Sequence, residues 1–338
     1  MYIQNDNNIL REHNQDIVQD DIDDGTIIKR INLHQQRQDT YPIVKILVSC
    51  HKPEVVAHNN IIVPIGVGAD SHSKHSFELS DNEGEDNISH LNARFCELTA
   101  QYWAYKNLTA DYYGFFHYRR YLSLRHLTTK CIIKVPGVYG GFADDFGLSE
   151  DNIKHVLTEV DMVLPYPLPC KSVYRHYKVA HNIVDLDWCI RYIVQKYPDY
   201  KEAVHQYMDS NRAYYCNMFV TKQELFVEYS NWLFDILMAF DNQKDYSEYT
   251  TQQMRAVGYL GERLLGIFVT RLMLARRDIK IVHAPILYIK DTNNNTRYAV
   301  KSKYKQSIGA YIANVMLPRG SIVREGLKKV YTTFLSKS

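Results

Sequence analysis

Beyond its first forty residues the chain alternates short apolar runs with longer stretches whose apolar residues recur every three or four positions, the pattern of strands and helices in turn. Residues 43–50 form an apolar run, half of it β-branched, that ends in the polar turn His51-Lys52-Pro53, which predicts a strand. A second run, 61–65, is followed by Gly66, Gly68 and Ala69, small residues that let another segment or a ligand pass close by. Residues 70–87 are polar and irregular, a length of loop that often serves as a functional flap. A helix is expected from about Ser89, with Asp86 and Asn87 at its start and Leu91, Phe95, Leu98, Tyr102 and Tyr105 on its buried stripe. Asn92, Cys96, Thr99 and Trp103 form an adjacent stripe of unusual polarity. Further strands are predicted in the aromatic run from Tyr112 and over 160–165, 214–220 and 279–289. Helices are predicted over about 185–197, 200–209, 222–241 and 251–276, and no internal repeat occurs. This order fits one mixed α/β sheet flanked by helices.

In such a sheet, ligands sit beyond the carboxyl ends of the strands. The most informative stretch is therefore 112–121, where an aromatic run stops at His117, Arg119 and Arg120. Arg offers planar paired donors and a charge that does not titrate away, a combination suited to phosphate oxygens. The alternative for this pair is a solvated turn or a structural ion pair. His51 and Lys52 after the first strand, Gly66 and Gly68 after the second, and Asn217 on a later strand would meet at the same edge.

The helix over 251–276 carries Gly258, Gly261 and Gly266 around Glu262. Glycine costs a helix about 1 kcal/mol relative to alanine, so three within nine residues need a packing or site reason. Gly258, Glu262 and Gly266 fall at i, i+4 and i+8, which sets the carboxylate on a bare stripe where another segment approaches. There it would be desolvated and suited to act as a general base. An ion pair between Glu262 and Arg255 or Arg263 is the competing account.

Composition narrows the class. The 338 residues, 46% hydrophobic and 23% charged, describe an ordinary globular chain, and a net charge of +2 argues against a surface given over to nucleic acid. Charge is uneven: seven acids against one Arg in residues 1–24, and eight Lys or Arg against Glu325 in 301–338. The acidic start reads as a partly disordered leader over 1–40, and the basic end as a helical tail over 301–338. Six scattered cysteines without a Cys-x-x-Cys pair suit neither zinc nor a disulfide scaffold. With no secretory signal and no apolar run near the roughly 18 residues of a membrane span, the chain is expected in the cytoplasm.

Blocks along the chain resemble a known family. They are Val48-Ser49-Cys50-His51-Lys52-Pro53, Pro64-Ile65-Gly66-Val67-Gly68-Ala69, Asn87-Ile88-Ser89 with Asn92, and Cys96-Glu97-Leu98-Thr99 with Tyr102-Trp103 and Lys106-Asn107. They continue through His117-Tyr118-Arg119-Arg120-Tyr121, Asn217-Met218-Phe219, Trp232-Leu233-Phe234 and Gly261-Glu262-Arg263-Leu264, and together cover about 43–290. On these residues the chain resembles the domain of unknown function 4422 group of bacterial capsule, O-antigen and exopolysaccharide glycosyltransferases. The resemblance implies a GT-A-like sugar-nucleotide fold over 41–300 and a nucleotide-sugar donor with uridine diphosphate favoured, some relatives being assigned galactofuranosyl transfer.

Metal-dependent transferases of this kind place an Asp-x-Asp after a mid-domain strand, where this chain carries His-Tyr-Arg-Arg. Outside the acidic leader, its one Asp-x-Asp, at Asp185 and Asp187, opens a helix. The expectation is an inverting hexosyltransferase without metal or other cofactor. Glu262 and His117 are its catalytic residues, Glu262 as base. Arg119 and Arg120 hold the donor diphosphate, and His51, Lys52, Gly66 and Gly68 the nucleotide. Asn87, Asn92, Glu97, Trp103 and Asn217 meet the sugar or acceptor. These roles come from residue chemistry and not from the family. The acceptor is expected to be a lipid-linked oligosaccharide, with the basic tail resting on the inner leaflet. An RNA-binding module, from the aromatic and Arg alternation around 112–121, and a non-catalytic scaffold of a polysaccharide complex are the alternatives.

Overall fold

The computed structural model describes residues 42–68, 77–125 and 130–290. The first strands are β1 (Val44–Cys50), β2 (Ile62–Gly66) and β3 (Leu79–Ser80), followed by the short helix α1 (Asn92–Phe95), helix α2 (Leu98–Asn107) and β4 (Tyr112–His117). Next come β5 (Arg120–Leu122), β6 (Ile132–Val135), α3 (Phe142–Asp145), α4 (Glu150–Thr158), β7 (Met162–Pro165) and β8 (Leu168–Pro169). A helical stretch of α5 (Val173–Ala180), α6 (Ile183–Lys196) and α7 (Lys201–Asp209) leads to β9 (Arg212–Ala213) and β10 (Phe219–Lys222). The long helices α8 (Gln223–Gln243) and α9 (Ala256–Ala275) precede β11 (Ile281–Ala284) and β12 (Ile286–Ile289).

The main sheet runs β11-β7-β10-β4-β1-β2-β3, with β5, β6 and β12 joined at its side. β1 lies parallel to both β2 and β4, so Cys50, Gly66 and His117 end at one edge. β10 runs antiparallel to β4, which brings the residues before Phe219 to that edge from the opposite direction. The central strands are buried on both faces, which is why β1 and β4 read as near-continuous apolar runs. β5 turns back on β4 through the single pair His117 and Arg120, and β12 then pairs Tyr288 with Arg120.

Several expectations change in detail. The helix expected from Ser89 is broken: Cys96 takes φ 53°, and α2 starts afresh at Leu98. The strand expected over 214–220 is confined to β10, and that over 279–289 is split into β11 and β12. The three glycines of α9 are packing positions. A Cβ at Gly258 would sit 3.2 Å from Cys96 Sγ, one at Gly261 2.8 Å from Leu98 Cδ1, and one at Gly266 would overlap the Tyr207 ring. The leader over 1–40, the tail over 301–338 and residues 70–76 of the expected flap lie outside the described residues.

Candidate active site

A cavity of about 570 Å³ opens beyond the carboxyl ends of β1 and β4. Seven of the residues singled out from sequence line it: His51, Asn92, Glu97, His117, Arg119, Arg120 and Glu262. Arg119 is oriented by backbone, since its Nε donates to Ile289 O at 3.1 Å, its Nη2 donates to Lys290 O, and the guanidinium lies 5.6 Å from the Tyr288 ring. Carbonyls and a ring hold the guanidinium without neutralising it, which preserves its charge for an anion.

The remaining predicted residues stand behind the lining. Lys52 is 57% exposed and pairs with Glu54 at 2.8 Å. Gly66 is in the β2 ladder opposite Cys50. Gly68, at φ +69°, donates its N–H to Asp81, and a Cβ there would strike Asn92 Oδ1 at 2.7 Å. Asn87 ties up a turn, donating to Asn82 O and Gly84 O while accepting from Ser89 N. Trp103 is buried in α2 with its indole donating to Glu83 O at 3.0 Å. Asn217 is buried too, and acts through a neighbour: its Nδ2 donates to Glu97 Oε1 at 2.7 Å and to Gly258 O at 3.1 Å.

Sequence reasoning missed the device that organises the titratable groups. Cys216 and Asn217 are consecutive residues in the left-handed region, at φ 74° and 45°. Such backbone costs roughly 1–2 kcal/mol per non-glycine residue and persists only where surroundings over-determine it. Here Cys216 N donates to Glu262 Oε1 at 2.9 Å, and Cys216 O lies 2.6 Å from His117 Nε2. One peptide turn thus fixes Glu262 and His117 through its backbone and Glu97 through the Asn217 side chain.

The carbonyl can only accept, so His117 carries its proton on Nε2 and presents Nδ1 as a lone pair. Burial pushes the His117 pKa down, with Arg120 adding to the effect and Glu97 opposing it, so the ring is neutral near pH 7. Glu262 is held at both oxygens, Oε2 accepting from Arg263 Nη1 at 2.9 Å. Burial pushes its carboxyl up, and Arg263 offsets part of that. Arg263 itself is only 1% exposed, stacked 5.0 Å from the Tyr215 ring and 5.5 Å from the Tyr177 ring. The ion pair with Arg263 weighed from sequence is therefore present, and Glu262 still lines the cavity.

Sequence reasoning also missed the helical side of the cavity: His176, His181, Gln252 and Tyr259, with Arg255, weighed only as an ion-pair partner of Glu262. Helix α5 buries only Val173 and Tyr177, one turn apart, a stripe too short to have marked a helix from sequence. Among the described residues, no three His, Cys, Asp or Glu side chains are gathered as a metal ion would need. None of the six cysteines forms a disulfide.

A family model described as "Domain of unknown function (DUF4422)" matches residues 45–273, more than half of the chain. The apo structure of a WbbM bifunctional glycosyltransferase is similar, with a TM-score of 0.71 and 32% identity over 77% of this chain. The chain spans 48% of that structure's length. No curated protein sequence matches. The mixed α/β sheet flanked by helices is thus of the GT-A-like kind expected from sequence.

Proposed function

The chain belongs to the DUF4422 family, and on that premise we propose that it is a glycosyltransferase moving a hexosyl group from a nucleoside-diphosphate sugar to a glycan hydroxyl. The observation that carries this reading is the cavity at the sheet's carboxyl edge, where Arg119 and Arg120 stand beside a neutral imidazole and two carboxylates. Its likeness to the bifunctional glycosyltransferase structure supports it. The finer reading is a uridine diphosphate donor, with galactofuranose among the candidate sugars, and a lipid-linked acceptor of bacterial surface polysaccharide assembly at the inner face of the membrane. No helix among the described residues is long and apolar enough to cross a membrane.

In this reading, turnover is an inverting displacement. The acceptor oxygen bonds to the anomeric carbon as the bond from that carbon to the β-phosphate oxygen breaks, and the leaving electron pair stays on the diphosphate. Arg119 and Arg120 compensate the growing charge with donors oriented beforehand, which is where electrostatic catalysis is strongest. That role rests on fixed guanidiniums and needs no ion from solution.

The acceptor proton goes to His117 Nδ1. Its Nε2–H stays anchored on Cys216 O, and the nearby Glu97 carboxylate favours the imidazolium that forms. Glu262 is the second candidate because burial raises its pKa toward the useful range. The test is thermal stabilisation of the full chain by a panel of sugar nucleotides, with and without EDTA. Uridine diphosphate sugars should stabilise the wild type with or without chelator, and Arg119→Ala with Arg120→Ala should abolish the shift. An unchanged shift in that double variant, or its collapse with EDTA, refutes the diphosphate assignment.

A further inference from the structure

The two sides of the cavity differ in charge. The sheet side presents Arg119 and Arg120, whereas on the helical side Arg255 and Arg263 are matched in number by Glu97 and Glu262. The balanced side also carries His176, His181 and Tyr259. His176 Nδ1 lies 3.3 Å from Arg263 Nη2. A guanidinium only donates, so this nitrogen accepts and the proton sits on Nε2. Burial next to Arg263 pushes the His176 pKa down to about 4 and that of His181 well below its ordinary value, so both rings are neutral near pH 7. His181 stacks on Tyr259 with ring centres 4.0 Å apart, and its ring nitrogens make no hydrogen bond among the described residues.

We propose that this helical side is a subsite for an uncharged sugar ring. A hydroxyl both donates and accepts, as a neutral imidazole does, and the stack of His181 on Tyr259 fixes the plane in which that imidazole is offered. A carboxylated or phosphorylated ring would need an excess of cation, and the carboxylates of Glu97 and Glu262 remove it here. The subsite rests on the transferase reading and deepens it, taking either the transferred hexose or the acceptor.

The experiment measures binding of UDP, UDP-galactose, methyl β-galactopyranoside and methyl β-galactopyranosiduronate to the full chain, by calorimetry or ligand-observed NMR. The variants are His181→Leu, which keeps bulk without polarity, and His181→Gln, which restores one donor and one acceptor. The wild type should bind the neutral glycoside more tightly than the uronide. His181→Leu should weaken a sugar-bearing probe about fivefold, in line with one lost hydrogen bond, leave UDP unchanged, and be rescued by His181→Gln. Loss confined to UDP-galactose assigns the transferred sugar, and loss of the free glycoside assigns the acceptor. An equal loss for UDP, tighter binding of the uronide, or no change in any probe overturns the subsite. If neither UDP nor UDP-galactose binds the wild type while the glycoside still depends on His181, the transferase reading fails and the sugar subsite stands.

Discussion

Replacing Glu262 with Gln removes one charge at nearly constant volume, and the geometry sets what that costs. The carboxylate accepts from two donors on opposite oxygens, Cys216 N and Arg263 Nη1, each at 2.9 Å. A Gln has one accepting oxygen, and its amide nitrogen donates. If the oxygen turns to Cys216, a guanidinium that is 1% exposed loses its counter-ion, and breaking a buried pair in this way costs about 3–5 kcal/mol. If it turns to Arg263, the Cys216 N–H is orphaned at about 1–3 kcal/mol, and the guanidinium is still unneutralised. The other neighbours of Arg263, a neutral His176 and the rings of Tyr177 and Tyr215, carry no negative charge. We expect a loss of about 3 kcal/mol, weighing both orientations. For a domain of this size that lowers Tm by about 6–12 °C. Calorimetry of wild type, Glu262→Gln, Arg263→Met and the double variant measures it, and the double variant should be more stable than the sum of the single losses. A Tm for Glu262→Gln within about 2 °C of wild type, or strict additivity in the cycle, refutes the reasoning. It follows that lost turnover in Glu262→Gln would not by itself identify the base.

Gly266→Ala forces a Cβ into the buried Tyr207 ring, so α7 must shift or Tyr207 must leave its place; a loss of about 1–3 kcal/mol in urea unfolding is expected, and an unchanged midpoint would mean that α7 and α9 pack otherwise. Cys216→Gly keeps both backbone bonds and relieves the left-handed strain, so stability should stay within about 1 kcal/mol, while Cys216→Val should lose more, by roughly 1–2 kcal/mol. Equal stability of the Gly and Val variants would show that φ at this position is not fixed. Asn217→Gly keeps the left-handed backbone but frees Glu97, so kcat should fall at unchanged nucleotide affinity; loss of nucleotide binding instead would place Asn217 in direct contact with the donor. Burial lowers the pKa of His117, His176 and His181, so their contribution to stability is present above about pH 6.5 and is lost as pH falls, for His176 through about 4. Glu262, raised by burial, works in the opposite sense, so His181→Gln should flatten the fall of Tm between about pH 6.5 and 4, and an unaltered slope would refute the assignment of His181 as a buried neutral ring.

The central strands were legible because burial on both faces leaves near-continuous apolar runs, aliphatic in β1 and aromatic in β4. The edge where chemistry gathers followed from where those runs stop, which placed His51, His117, Arg119 and Arg120 correctly at one cavity. Direction was not legible. Lys52 follows His51 directly, yet it pairs with the buried Glu54 and does not line the cavity, because adjacent side chains at a strand end need not share a face. The break at Cys96 was hidden for a different reason: the apolar stripe from Leu91 to Tyr105 survives a local interruption. At the break, Asn92 Nδ2 donates to Cys96 O at 2.8 Å and to Thr99 Oγ1 at 3.0 Å, local side-chain bonds that the apolar period does not encode.

The same limit explains the run over 214–220. Its composition favours a strand, but the polar groups of Cys216 and Asn217 bond to partners far along the chain, 46 residues away at Glu262, 99 at His117 and 120 at Glu97. Local propensity is worth at most about 1 kcal/mol per residue, and these bonds, two of them to carboxylates, together outweigh it. A segment that gives up strand pairing to hold three titratable side chains marks its own purpose. Strained backbone of this kind clusters at functional sites, and the residues at the cavity gain their orientation from a turn that the sequence presents as an unremarkable strand.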